Sequence, residues 1–179
     1  MSSDHITNPT FILGPSGVGK STLLRGLATK FTHAITKELD AEVRAACPEL
    51  FQPGGLEWNR FWQVSLTCIW RLQSNTSVPV IIDVGAGSLE TPDALNYFQN
   101  ADTLYIRDTP ANTLRKNQAR DGSAWVGRSL RDFEAGEFSM ARMAIYGSAK
   151  RVVDVEGLSE AEALEKLIVT LGLPDHDAS

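Results

Sequence analysis

Residues 14–21 read Gly14-Pro15-Ser16-Gly17-Val18-Gly19-Lys20-Ser21, a full match to the pattern GxxxxGK(S/T). Glycines in this pattern let the backbone turn tightly, so that successive N–H groups point inward at phosphate oxygens. The apolar run at residues 10–13 predicts a buried strand before the loop, and Leu23, Leu24 and Leu27 predict an amphipathic helix after it. A strand, this loop and a helix N-terminus together predict a binding site for the polyphosphate of a nucleotide.

The predicted nucleotide contacts come from the loop and the first turn of the helix that follows it. Lys20 is expected to reach the β- and γ-phosphates and to act in catalysis, and the Ser21 hydroxyl is expected to take a position on Mg²⁺. These contacts predict ATP as the co-substrate, bound with Mg²⁺. The residues assigned to ATP here are Gly14, Ser16, Gly17, Val18, Gly19, Lys20, Ser21 and Thr22.

Further apolar runs alternate with helical patterns along the chain. Strands are predicted at residues 78–84, 101–107 and 151–155, with a weaker one at 33–36. Helices are predicted at 21–30, at 110–120 and after Ser159, which forms a capping-box pattern with Glu162. Continuous β-branched runs are typical of a parallel sheet covered on both faces. The sequence therefore predicts an α/β, three-layer P-loop fold with about five parallel strands, helices on both faces, and one domain over residues 1–179.

Asp83 ends the second long strand after three apolar residues, which is the form of a Walker B element. An aspartate at this point can hold Mg²⁺ directly or through water. The alternative is an aspartate that caps the turn at the end of the strand. Asp83 and Ser21 are therefore the candidate metal ligands.

Composition excludes several classes of protein. The net charge of −5 argues against a general nucleic-acid binder, and no apolar run approaches the ~20 residues that span a bilayer. Cys47 and Cys68 lack a zinc-binding pattern and are expected to be reduced, buried thiols. The first residues lack the pattern of a secretion signal. We expect a cytoplasmic monomer with no membrane or nucleic-acid partner. Basic residues concentrated at 115–142 indicate either a site for a small anion or a solvated helix face.

Two classes of P-loop protein do not fit. A GTPase would carry NKxD and DxxG segments, but residues 36–39 have the wrong residue in fourth place, and residues 83–86 have their glycine one position early. Guanylate kinases share the GPSGxGKS loop but carry a TTRxPR segment that is absent here. A chain without these modules is interpreted as a kinase for a small acceptor, with an acceptor-binding segment at about 37–75 and a lid at about 118–135.

Several short motifs follow the loop in a fixed order. Glu38-Leu39-Asp40 stands for DxD, and Gly55 with Arg60 keeps the glycine and arginine of GExxFRxxE. Gly85-Ala86-Gly87 stands where a GGG turn follows a strand. Residues 109–115, 142–146 and 152–159 are similar to TPxxLxxR, RxPLY and VVDTDGLS. In this order the motifs resemble those of the shikimate kinase family over almost the whole chain.

The resemblance implies roles for individual residues. Asp40 would orient the acceptor hydroxyl and take its proton, and Arg60 with Arg142 would hold a substrate carboxylate. Gly85, Ala86 and Gly87 would lie against the acceptor ring. Arg128, from the lid, would neutralise charge on the transferred phosphoryl group, and Arg120 would stack on adenine. Glu38 is a further candidate metal ligand beside Asp83.

Each of these residues also has a structural alternative. Asp40 can also be interpreted as a helix N-cap, and Arg60 and Arg142 as surface charges. The glycine turn can also be interpreted as simple loop geometry. The sequence departs from the family pattern on the acceptor side, at Leu56, Gln63 and Ala86. The leading hypothesis is a shikimate kinase-like enzyme. The alternatives are a kinase for another hydroxy acid, cyclitol or polyol, and a nucleotide-binding regulatory module with little turnover.

Overall fold

The computed structural model describes residues 8–54, 56–74 and 78–173. Within them, five strands form one parallel sheet in the order β2-β3-β1-β4-β5. The register places Phe11 of the central strand beside Ile82 on one side and Thr103 on the other. The strands are β1 (Thr10–Leu13), β2 (Ile35–Glu38), β3 (Val80–Asp83), β4 (Asp102–Arg107) and β5 (Arg151–Asp154). This sheet confirms the predicted α/β fold.

Helices connect the strands and cover both faces of the sheet. They are α1 (Lys20–Lys30), α2 (Leu39–Ala46), α3 (Trp58–Ser74), α4 (Pro92–Asn100), α5 (Pro110–Gln118), α6 (Leu130–Glu137), α7 (Met140–Gly147) and α8 (Glu160–Leu171). Short 3-10 turns lie at Pro48–Phe51 and Ala86–Leu89. The predicted capping box of α8 is confirmed, because the Ser159 hydroxyl accepts from the Glu162 N–H and the Glu162 carboxylate accepts from the Ser159 N–H.

The sheet divides the core into two layers, and side chains of β1 point alternately into one layer and the other. Phe11 and Leu13 face the layer that contains α2, α3, α4 and α7. Ile12, between them, faces the layer that contains α1 and α8, where Leu27 and Leu167 are fully buried. Successive side chains of a strand point to opposite faces, so one short strand anchors both layers. This arrangement fixes the loop after β1 at the edge where the strands end.

Some predicted boundaries are wrong. The weak strand predicted at 33–36 lies at Ile35–Glu38, because pairing with β3 aligns Ile35 with Val80 and Glu38 with Asp83. The strand is at the edge of the sheet and only partly buried, so its apolar signal is weak. The helix predicted to end at Arg120 ends at Gln118. The alternative role of Asp40 as an N-cap is also wrong, because Glu38 precedes α2 and Asp40 lies inside its first turn.

Two further expectations can be compared with the structure. Cys47 and Cys68 are both buried and unpaired with each other. Among the helices of the described residues, none combines the length and the apolar character needed to cross a bilayer.

Candidate active site

A cleft of about 900 Å³ lies at the edge of the sheet where the parallel strands end. Ligands of open α/β folds bind at this edge, where the strand order reverses direction. The cleft extends from Asp40, past the loop, to Val155 and Leu158 after β5. The predicted site residues that line it are Ser16, Gly17, Val18, Gly19, Lys20, Ser21, Thr22, Glu38, Asp40, Asp83, Gly85, Ala86 and Arg120.

The loop adopts backbone conformations that explain its glycines. Gly17 and Gly19 have φ angles of 81° and 110°, which L residues with a side chain rarely adopt. A Cβ on Gly17 would also lie 2.2 Å from Nδ2 of Asn117, a residue of α5. Asn117 in turn donates to the Ser16 carbonyl and accepts from the Ser16 hydroxyl. The loop is therefore held against α5, with no room for a side chain at position 17.

Lys20 lies at the start of α1 and is buried beneath the loop. Its Nζ donates to the carbonyls of Gly14 at 2.9 Å and Pro15 at 3.3 Å. The carboxylate of Asp83 lies 3.9 Å from the same Nζ, and its negative charge partly balances that of the ammonium group. A lysine held in this way projects its ammonium group into the cleft at the base of the loop. This is the place where the sequence predicted a contact with the β- and γ-phosphates.

Ser21 and Asp83, the predicted metal ligands, lie together. The Ser21 hydroxyl donates to Asp83 Oδ2 at 2.9 Å, and Asp83 Oδ1 is buried without a hydrogen-bond partner. A hydroxyl and one carboxylate suit Mg²⁺, which keeps several waters and takes the rest of its ligands from phosphate oxygens. The described residues hold no cluster of three or more acidic, histidine or cysteine ligands, so the protein part of such a site is small. The donor set fits a magnesium ion bound together with a nucleotide.

Asp40 lies on the other side of the cleft from the loop, in the first turn of α2. Its Oδ1 is buried without a hydrogen-bond partner, so the carboxylate has free capacity to accept a hydrogen bond. Burial raises the pKa of Asp40, the charge of Asp83 raises it further, and Lys20 opposes both effects. Burial likewise raises the pKa of Asp83, against the opposing effects of Lys20 and the Ser21 hydrogen bond. Two acids with raised pKa values, one of them unpaired, are a frequent mark of an active site.

The glycine turn after β3 holds Asp40 in place. A Cβ added to Gly85 would lie 2.1 Å from Asp40 Oδ2 and 2.4 Å from its Cγ. The backbone of Gly85 therefore packs directly on the carboxylate, although its φ angle is ordinary. At Gly87, a Cβ would lie 3.0 Å from Cζ3 of Trp58, so this glycine is covered by an indole ring.

The two arginines predicted to hold a substrate carboxylate are engaged elsewhere. The guanidinium of Arg60 pairs with Glu49 at 2.6 Å, and both side chains are about half exposed. The guanidinium of Arg142 is mostly buried between Glu90 and Glu137. Its Nη1 lies 2.8 Å from Glu137 Oε2 as an ion pair without an aligned hydrogen bond. Neither arginine lines the cleft.

The predicted lid residues differ in their positions. Arg120 lines the cleft, together with Lys116, which pairs with the buried Asp108 at 2.7 Å. Arg128 is exposed in the segment before α6 and does not line the cleft. The predicted lid consists of a turn-rich segment followed by most of α6, which begins at a capping box between Ser129 and Asp132.

Glu137 and Asn117 are residues that the sequence reasoning missed. The buried Glu137 carboxylate accepts from the Ser16 N–H at 2.9 Å and from Trp125 Nε1 at 3.2 Å, besides pairing with Arg142. It therefore joins the loop, the segment before α6, and α7. No sequence pattern around Glu137 identifies it as a functional residue. Asn117 lies inside a predicted helix and is likewise part of no motif.

A second, smaller cavity of about 420 Å³ adjoins the cleft at Asp40, which lines both. Gly87 and Gln52 contribute to its wall. Gly55, the glycine of the predicted acceptor motif, lies outside the described residues. Most of the wall is apolar and comes from Leu50, Phe51, Pro53, Leu56, Trp58 and Phe61. We call this space the aromatic cavity.

Comparisons with known proteins identify relatives of this architecture. The family model for shikimate kinase matches residues 16–172. The chain is similar to a shikimate kinase from Aquifex aeolicus, with 20% identity, a TM-score of 0.69, and coverage of 92% of this chain and 96% of that one. None of the curated protein sequences compared with the chain matches it significantly.

Two other solved structures share the fold. A tunicamycin resistance protein from Deinococcus radiodurans is 17% identical, with a TM-score of 0.67 and coverage of 93% and 97%. A gluconokinase from Sinorhizobium meliloti is 14% identical, with a TM-score of 0.58 and coverage of 93% of each chain. At these identities the similarity establishes the fold alone.

Proposed function

The chain belongs to the shikimate kinase family, and from this premise we propose that it transfers the γ-phosphoryl group of ATP to a hydroxyl of a small molecule. The observation that carries the proposal is the convergence of three features in one cleft. They are the loop with Lys20, the Ser21–Asp83 pair, and Asp40 opposite them. The first two are the parts that bind and neutralise a nucleotide polyphosphate, and the third is a base for an alcohol.

In the proposed reaction, the acceptor hydroxyl donates a hydrogen bond to the carboxylate of Asp40, which lines the cleft. The acceptor oxygen forms a bond to the γ-phosphorus while the bond between that phosphorus and the β,γ-bridging oxygen breaks. The hydroxyl proton passes to Asp40, and the products are a phosphate monoester and ADP. A raised pKa suits Asp40 for this task, because a base accepts a proton best when its pKa lies close to the working pH.

Lys20 supports this transfer from the loop side. Its ammonium group would leave the Gly14 and Pro15 carbonyls for the phosphates, because a charged acceptor binds it more strongly than neutral carbonyls do. Backbone N–H groups of residues 17–20 would surround the β-phosphate. Ser21 and Asp83, with Glu38 in the same cleft, would hold Mg²⁺, whose charge would offset that of the phosphates.

The other end of the cleft is suited to the nucleoside. Arg120 lies there together with the apolar side chains of Val155, Leu158 and Ala163. An adenine ring would stack on the guanidinium and lie against these apolar groups. We further propose that the segment at 118–135 closes over the bound ligands and brings Arg128 to the transferred phosphoryl group, which would exclude water.

Family membership makes shikimate the first acceptor to test. A second candidate is an alcohol that needs no carboxylate clamp. The observation that favours it is the position of Arg60 and Arg142, which are paired with glutamates and do not line the cleft. A solved gluconokinase shares the fold, so gluconate is a further acceptor to test.

The test is acceptor-stimulated ADP release, measured with Mg-ATP and a panel of alcohols. The panel contains shikimate, gluconate, a neutral cyclitol, and neutral alcohols with and without an aromatic ring. We expect at least one alcohol to raise ADP release about tenfold or more above the acceptor-free rate. The γ-phosphate should appear in an ester by phosphorus NMR. ADP release that no alcohol stimulates, with all of the γ-phosphate found as free phosphate, would rule out a kinase.

A further inference from the structure

The aromatic cavity opens beside the group that would activate the acceptor. Asp40 lines both the phosphate-binding cleft and this cavity. A molecule whose hydroxyl meets Asp40 must therefore place the rest of its body toward one space or the other. The cleft on the loop side is needed for the nucleotide, and the aromatic cavity is a space beside Asp40 that can take the body of the acceptor.

The walls of the cavity select for an apolar body. Asp40 is the one ionisable side chain among the described residues that line it. Trp58 packs on the backbone of Gly87. The Trp58 and Phe61 rings pack edge-to-face with their centroids 6.0 Å apart, and the Phe61 and Phe51 ring centroids are 5.9 Å apart. Ring pairs of this kind form rigid apolar walls, and an aromatic ligand gains both buried area and ring contacts against them.

The same surroundings disfavour an acceptor with a carboxylate. No cationic side chain lines the cavity among the described residues. Arg60 and Arg142 are paired with Glu49, Glu90 and Glu137 outside it, and the guanidinium of Arg44 lies 4.0 Å from the centroid of the Phe51 ring, in a cation–π contact. A carboxylate would therefore lie against an apolar wall without a direct cationic partner. It would also lie close to the carboxylate of Asp40, which lines the cavity and would repel a second negative charge. The lining of the cavity therefore offers less to a carboxylate than to an apolar group.

We propose that the phosphoryl acceptor is a neutral alcohol with an aromatic or compact apolar body, which lies in the aromatic cavity while its hydroxyl meets Asp40. This inference rests on the proposed kinase function and names its substrate class. The space is open to the surface, and its volume of about 420 Å³ has room for one aromatic ring. The transfer is the one described above, with ADP and the phosphate ester of the alcohol as products.

The test compares four acceptors that vary the ring and the carboxylate separately. They are phenylpropanediol, propanediol, phenyllactate and lactate, each offered with Mg-ATP. We expect kcat/KM for phenylpropanediol to exceed that for propanediol and that for phenyllactate by about tenfold or more each. Equal values for the two diols, or higher values for the two acids than for the diols, would overturn the inference.

A pair of variants tests whether Trp58 makes the ring preference. Trp58→Ala should reduce the preference for phenylpropanediol over propanediol about fivefold or more while leaving KM for ATP unchanged. Trp58→Phe should keep most of the preference, which separates loss of a ring contact from general damage to the fold. The matched control is Trp70→Ala on the same helix, because Trp70 is 67% exposed and does not line the cavity. A ring preference unchanged in Trp58→Ala would contradict the assignment.

Failure of the inference can be distinguished from failure of the proposed function. Transfer to shikimate, gluconate or lactate without a ring preference would overturn the inference and leave the kinase intact. Binding of Mg-ATP without transfer to any alcohol would overturn both.

Discussion

Replacing Lys20 by alanine is expected to lower kcat/KM for phosphoryl transfer by about 1,000-fold or more. Lys20 is the cation nearest to the loop carbonyls, with its Nζ 2.9 Å from the Gly14 carbonyl, and it is shielded from solvent. A buried ammonium group acts on developing phosphate charge at low dielectric, where its effect is much larger than in water. The measurement is steady-state transfer to the best acceptor of the panel, with ATP binding followed separately.

Lys30→Ala is the matched control for this prediction. Lys30 ends the same helix and pairs with Glu165 on an exposed surface, so its removal should leave kcat/KM within about twofold of the wild type and change stability little. Circular dichroism should show the same helix content for both variants. Retention of more than a tenth of the wild-type rate by a folded Lys20→Ala protein would contradict the role of Lys20.

Asp40→Asn is expected to lower kcat by about 100-fold or more, because an amide cannot accept the proton of the acceptor hydroxyl. The wild-type rate should fall as the pH drops through the raised pKa of Asp40, because protonation removes the base. KM for ATP should stay close to the wild-type value, since Asp40 lies on the acceptor side of the cleft. A variant that keeps the wild-type kcat would show that Asp40 does not act as the base.

The same substitution should raise the stability of the protein at neutral pH. Burial raises the pKa of Asp40 in the folded state, so its ionised form costs folding free energy that the isosteric amide avoids. The effect depends on pH. Below about pH 3.9, the pKa of an unfolded aspartate, Asp40 is protonated in both states and carries no such cost. The cost develops as the pH rises through the folded-state pKa. We therefore expect Tm of Asp40→Asn to exceed the wild-type Tm by about 2–4 °C at neutral pH and the gap to close in acid.

Asp93→Asn is the control for the stability measurement. Asp93, like Asp40, is an acid in the first turn of a helix, but it is exposed. Replacing it removes only the favourable interaction of the carboxylate with the helix dipole, so its Tm should be equal to or slightly below the wild-type value. A gain in Tm from Asp93→Asn as large as that from Asp40→Asn would remove burial as the explanation.

The phosphate-binding side could be predicted from the sequence because its geometry is encoded locally. The loop is one continuous segment whose glycines occur where the backbone has a positive φ angle, and Ser21 follows Lys20 directly. Asp83 could be placed beside the loop, because β1 and β3 are parallel neighbours whose carboxyl ends meet. The edge strand β2 was misplaced by two residues, since half-exposed edge strands carry little apolar pattern.

The acceptor side could not be predicted in the same way, because it depends on contacts between distant segments. The Arg142–Glu90 pair joins residues 52 positions apart. Motif order predicts that Arg60 and Arg142 bind substrate, but it gives no information on Glu49, Glu90 and Glu137, with which they pair in the structure. The sequence shows that the segment around Trp58 is rich in aromatic residues. That these residues lie beside Asp40 is shown only by the fold.

The central claim is that the backbone and Lys20 at residues 14–21 hold the polyphosphate of a nucleotide. Isothermal titration of the folded protein with Mg-ATP tests it most directly. We predict saturable heat from one site, with Kd between about 1 μM and 1 mM, the usual range for enzyme substrates. Absence of any heat of binding over this range of concentrations, for protein shown to be folded, would contradict the claim.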